Sequence, residues 1–185
     1  SLIAGGLILP KLSIKSKKLN QKKLKIAVVG CGGRGTGAAV QALRADNNVE
    51  LVTLADAFKD RLEGSLNAIK DEFEGEMEIN IKEKNKFVGF DAYKKAIDKS
   101  DVVILASPPG FRPAHFEYAI NKNKHVFMEK PVATDAHGVR QVLNSARKAK
   151  EKNLNVVVGL QRRYQKSYLS AKKQIDRGVI GKIIS

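Results

Sequence analysis

Residues 24–35 read LKIAVVGCGGRG. The first six are short, apolar and rich in β-branched side chains, the signature of a strand covered on both faces. The next six, Gly30-Cys31-Gly32-Gly33-Arg34-Gly35, match G-x-G-x-x-G. Alone that motif is weak; directly after a strand and before a helix it describes a loop that receives a dinucleotide. Gly30 permits the tight turn, Gly32 lets the backbone approach a pyrophosphate, and Gly35 lets helix pack on strand. The helix N-terminus then presents free N–H groups and a partial positive charge to the phosphates. Gly33 completes the loop, and Arg34 reads either as a phosphate neighbour or as a solvated side chain. Cys31 reads as a small loop residue, since no His stands near it in sequence.

The expected partner of that loop is an acid at the end of the second strand. Asp56 directly follows the predicted second strand, residues 49–55 (VELVTLA), and lies 21 residues after Gly35. Its carboxylate can accept from both ribose hydroxyls and would repel a 2′-phosphate, which favours NAD over NADP.

Outward from this unit, strand and helix alternate. Helical spacing or capping predicts helices over 36–45, 59–73, 91–99, 113–122, 134–152 and 165–177. Asp91, Thr134 and Asp135 are placed to cap, and Pro113 suits a first helical turn. Further strands are predicted near 87–88 and over 101–105, 125–128 and 155–159, while 74–86 is a charged, unpatterned excursion. Six strands joined by helices require parallel crossovers. The expectation is a doubly wound α/β sheet of Rossmann type, in the order 3-2-1-4-5-6.

Ligands of such sheets gather outside the carboxyl ends of the strands. Ser107-Pro108-Pro109 follows the fourth strand there, and Glu129-Lys130-Pro131 follows the fifth. A Lys whose pKa is lowered by partial burial and a nearby cofactor can pass a proton to and from a substrate hydroxyl. On composition alone, a Lys at a strand end is simply solvated. Gln161, Arg162 and Arg163 follow the sixth strand, where an Arg can reach the ligand or cap the next helix. His115, His125 and His137 read as structural, and no spacing offers a metal site.

The Gly loop, Asp56, Ser107-Pro108-Pro109 and residues 124–131 (KHVFMEKP) together resemble the Gfo/Idh/MocA oxidoreductase family, over about 24–185. The resemblance implies an NAD-dependent enzyme acting on a sugar or cyclitol, with Lys130 beside nicotinamide and substrate. It implies that Glu129 helps place Lys130 and the cofactor ribose, and that the Lys130–Pro131 bond is cis. Members carry a second α/β domain that completes the substrate pocket and through which they associate. Residues 24–160 are therefore expected to form the dinucleotide-binding domain and 161–185 the start of a truncated substrate domain. The chain begins at Ser1 and stops at 181–185 (GKIIS), a strand just opening. Both ends are expected to be those of a piece that binds cofactor without turning over alone, from a full-length homo-oligomer.

Residues 2–9 (LIAGGLIL) are too short to cross a bilayer, which takes about 20 residues, but fit the apolar part of an export signal. A Lys-rich linker follows, so 1–23 reads as a leader remnant and linker. Residues 159–164 (GLQRRY) are similar to the exported bacterial branch of the family, which often has a twin-arginine leader. That implies a periplasmic location, or a cytoplasmic one if the leader reading fails.

The formal charge of +15 invites a nucleic-acid reading. The excess, however, lies at the two ends. Residues 1–45 carry nine basic residues and no acid, 46–139 carry 13 basic and 17 acidic, and 140–185 carry 12 basic and two acidic. Aromatics are 6% with no Trp, so stacking platforms for bases are few and nucleic acid is not the expected partner. A glycosidase that oxidises transiently, eliminates and then reduces would carry the same motifs as a dehydrogenase. A non-catalytic NAD sensor would keep the Gly loop without a working Lys, and Lys130 argues against it.

Overall fold

The structure, a computed structural model, describes residues 22–184. The apolar and Lys-rich stretch from which a leader is inferred lies almost wholly outside the described residues, as does the last residue. Among the described residues the sheet has six strands, β1 (Leu24–Val29), β2 (Val49–Asp56), β3 (Lys86–Val88), β4 (Val102–Leu105), β5 (His125–Met128) and β6 (Val156–Val158). All pair in parallel, in the order β3-β2-β1-β4-β5-β6. This is the predicted doubly wound sheet.

The helices are α1 (Gly33–Ala45), α2 (Lys59–Glu72), α3 (Ala92–Asp98), α4 (Arg112–Asn121), α5 (Ala136–Glu151) and α6 (Lys166–Asp176). Alternation along β1 divides the core between the two faces of the sheet. Val28 joins Leu54, Leu62, Leu66 and Ile69 beneath α1 and α2. Ala27 and Val29 join Val103, Leu105, Phe116, Ile120 and Met128 beneath α3, α4 and α5. Fully buried Leu and Ile side chains of this kind each contribute about 1.5–3 kcal/mol of transfer free energy.

Several boundaries differ from expectation. α1 starts at Gly33, three residues early, because Thr36 N–H already donates to Gly32 O at 3.0 Å. The last loop glycines thus form the first helical turn. Asp135 caps α5, its Oδ1 accepting from Gly138 N at 2.8 Å. Asp91 makes no cap bond; its carboxylate pairs instead with Lys94 Nζ at 2.7 Å. The 74–86 excursion buries Ile79 and Ile81 against the α2 side of the core. No residue of α6 is buried. Among the described residues no helix is long and apolar enough to cross a membrane, and no group of His, Cys, Asp or Glu is placed to hold a metal ion.

Candidate cofactor site

β1 delivers Gly30 with φ +95° into a turn whose N–H donates to Ala55 O at 2.8 Å. A Cβ at Gly30 would lie 2.4 Å from Ser107 N, and one at Gly35 would lie 1.9 Å from Gly30 O. These two glycines are closed in by their own fold. Gly32 and Gly33 are the opposite case, since a Cβ on either would meet nothing within 4 Å. Gly32 caps α1 without a side-chain hydrogen bond, so the N–H groups of the first turn have no capping side chain. Open space above unsatisfied donors at a helix N-terminus is the cradle that a pyrophosphate fills.

Asp56 ends β2 beside this loop. Its Oδ2 accepts from Cys31 N at 2.6 Å and its Oδ1 from Phe58 N at 3.0 Å, which fixes the carboxylate at the strand end. Cys31 is buried, and its thiol donates to Ala55 O at 3.5 Å. Burial, then the Asp56 charge, pushes that thiol up to about 12, so it is not poised as a nucleophile.

A cleft of about 540 Å³ runs from Asp56 across Gly30 and Gly32 to Ser107 and Pro108. Ser107 is buried at the end of β4, with its hydroxyl 3.0 Å from His115 Nδ1. Burial, then the charge of Arg112, lowers His115 to about 4 and keeps it neutral. Its ring stacks on Tyr93 with centroids 4.1 Å apart. His125 is also structural, its Nδ1 accepting from Asn155 N at 2.9 Å. His137 lies exposed on α5.

Glu129 follows β5 and is buried, and its carboxylate pairs with Arg34 in the first turn of α1. Arg34 therefore has a definite partner rather than a merely solvated head. Lys130 departs from expectation: it is exposed, not partly buried, and it does not line the cleft. With Glu129 turned inward at the strand end, the next side chain points outward. The Lys130–Pro131 peptide is cis, as the resemblance implies. Gln161–Arg163 form a short 3-10 turn whose residues do not line the cleft, and Arg162 lies over the Tyr168 ring at 5.2 Å.

Arg112 is the residue that sequence reasoning missed. It is buried, donating from Nη1 to Glu129 O at 2.7 Å and also to Pro131 O, and from Nη2 to Ser107 O. One guanidinium thus ties the loop after β4 to the loop after β5. No local signal marks it, because an Arg before a Pro at a helix start looks the same whether solvated or buried.

Gly loop, helix N-terminus, Asp56 and cleft together define a dinucleotide-binding Rossmann domain, and they fit NAD. The match extends beyond architecture. Residues 24–159 match the oxidoreductase family with an NAD-binding Rossmann fold, and the chain belongs to that family, Gfo/Idh/MocA. It is 29% identical over 161 residues to an inositol 2-dehydrogenase of Salmonella paratyphi B, covering 85% of this chain and 43% of that protein. Among solved structures it resembles myo-inositol 2-dehydrogenase from Lactobacillus plantarum, with a TM-score of 0.68, 30% identity, and coverage of 88% of this chain and 44% of that one. It also resembles scyllo-inositol dehydrogenase from Lactobacillus casei with bound NAD(H) and scyllo-inositol, with a TM-score of 0.66, 26% identity, and coverage of 88% and 43%. The chain spans less than half the length of these relatives.

Proposed function

We propose that the whole protein is an NAD-dependent dehydrogenase of a cyclitol or related sugar, with residues 24–160 as its cofactor domain and 161–185 opening its substrate domain. The observation that carries this reading is the pairing of open backbone at Gly32 and Gly33 with the anchored Asp56 carboxylate. The inositol dehydrogenases among its relatives support the substrate class.

NAD, when bound, supplies the hydride acceptor. The residues of this chain bind and orient. Asp56 accepts from the ribose hydroxyls, and the first turn of α1 holds the pyrophosphate. Arg34 and Arg112 fix Glu129 by side chain and by backbone. Lys130 Nζ takes the proton of the substrate hydroxyl as a neutral amine, a state that requires the bound cofactor and the second domain to cover the side chain, which is exposed in this domain alone. Ahead of residue 24 we place an export leader, with a periplasmic enzyme, and we expect the full-length protein to be a homo-oligomer.

The test is NADH formation by the full-length protein with myo-inositol, scyllo-inositol and simple aldoses. Stoichiometric NADH from one of them is expected, with Lys130→Ala reducing kcat by about 10²-fold or more. Release of an aglycone from glycosides without net NADH would replace this reading with the glycosidase one. Normal turnover by Lys130→Ala would remove the lysine from the chemistry.

A further inference from the structure

The sheet lets go of the chain just before Lys130. β5 ends at Met128, and Glu129 N–H still donates to Leu105 O at 3.0 Å. Past that bond, neither Lys130 nor Pro131 makes a backbone–backbone hydrogen bond among the described residues, and Pro131 has no N–H to offer. The Lys130 side chain is exposed, so packing does not aim it either.

One side chain takes over from the ladder. The carbonyls of the residues directly before and after the lysine, Glu129 O and Pro131 O, both accept from Arg112 Nη1, the first at 2.7 Å. Nη2 donates to Ser107 O, so the same rigid group references this backbone to the end of β4. A planar fork holds its acceptors at a set separation, which a flexible ammonium does not. The position is costly for a cation. Arg112 is 3% exposed; burial works against its charge, and the Glu129 carboxylate offsets part of that. Apolar side chains of similar volume commonly replace buried charges without loss of stability. Folding alone therefore does not call for an arginine at 112. What an apolar residue could not supply is a common donor for three loop carbonyls.

We infer that Arg112 is the positioning residue for Lys130: its guanidinium clamps the backbone on both sides of the lysine and so fixes where the amine meets the substrate hydroxyl. The inference rests on the reading of Lys130 as the proton acceptor and deepens it. Arg112 acts through the lysine and not on the substrate.

A kinetic double-variant cycle in the full-length protein tests it. The reaction is followed at saturating NAD with myo-inositol, scyllo-inositol or an aldose, whichever yields NADH. Arg112→Lys keeps the charge without the fork, and Arg112→Gln keeps one donor group without the charge. Each should lower kcat by about tenfold to a hundredfold, the effect of a displaced reacting group. The Kd for NAD, measured by calorimetry, should stay within about threefold, since binding and chemistry separate when only the reacting geometry is lost. In a Lys130→Ala background the same substitutions should change kcat by less than about twofold, because the group they position is gone. An equal loss in both backgrounds, full kcat in both single variants, a tenfold loss of NAD affinity, or loss of folding in both variants would assign the guanidinium to the fold and overturn the inference. Normal turnover by Lys130→Ala, or no NADH from any of these substrates, would instead remove the reading beneath it, and the inference with it.

Discussion

Arg34 in the first turn of α1 donates to the carboxylate of Glu129 after β5, joining the glycine loop to the residue before Lys130 across 95 positions of sequence. The pair is lopsided: the Arg34 side chain is 65% exposed and that of Glu129 is 5% exposed. The other carboxylate oxygen lies against Gly159, where a Cβ would stand 3.1 Å from it. Loss of the arginine therefore leaves a buried acid without its cation.

Arg34→Gln should cost about 1–2 kcal/mol of stability, below the 3–5 kcal/mol of a fully buried pair because the guanidinium is largely in water. Glu129→Gln should cost less, since the exposed arginine left behind is solvated. Urea denaturation of the two single variants and the double variant gives the coupling directly. A double variant as unstable as the sum of the singles would mean that the two residues act independently.

The four motif glycines separate into two kinds. A Cβ at Gly35 would stand 1.9 Å from Gly30 O, so Gly35→Ala must push helix from strand and should fail to fold or lose more than about 3 kcal/mol. Gly32→Ala and Gly33→Ala meet nothing within 4 Å and should fold with a midpoint close to the parent. The methyl group would nevertheless occupy space next to the pyrophosphate, so NAD affinity should fall by about tenfold or more. Thermal melts beside NAD titrations distinguish the outcomes, and an unimpaired Kd in Gly32→Ala would place the phosphates elsewhere.

The fold and half the site were legible for the same reason: both depend on local periodicity and fixed spacing. β1, the glycine loop and Asp56 form one contiguous unit, and strand–helix alternation admits few sheet orders. Glycines are poor helix formers, so the sequence points to a start of α1 later than the true one. The space around Gly30 makes glycine necessary at 35, and the Thr36 N–H bond to Gly32 O nevertheless draws Gly33–Gly35 into the first helical turn. Arg112 was not legible at all. The burial of Arg112 is created by carbonyls of Ser107, Glu129 and Pro131, which converge only in the folded chain.

Asp56→Asn keeps an oxygen to accept from one of Cys31 N and Phe58 N but removes the charge. NAD affinity should fall by about tenfold, because two ribose hydroxyls lose a charged acceptor. NADP should bind no worse than before or better, since the repulsion of its 2′-phosphate is gone. Titration with both cofactors checks this; an unchanged NAD-to-NADP ratio would assign the preference to another residue.

His115 makes stability depend on pH. Its folded value is depressed to about 4 from the usual 6.5, by burial and then by Arg112. The unfolded chain therefore takes a proton at a pH where the folded one does not. The stabilisation is present in full above about 6.5, declines as pH falls from 6.5 toward 4, and levels off below. Integrated over that window the loss is about 3 kcal/mol. His115→Asn, which keeps a polar partner for the Ser107 hydroxyl, should be less stable than the parent at neutral pH and should lose less stability on acidification. Urea midpoints at several pH values across the window measure the difference. Parallel curves for parent and variant would show that acid acts through other groups.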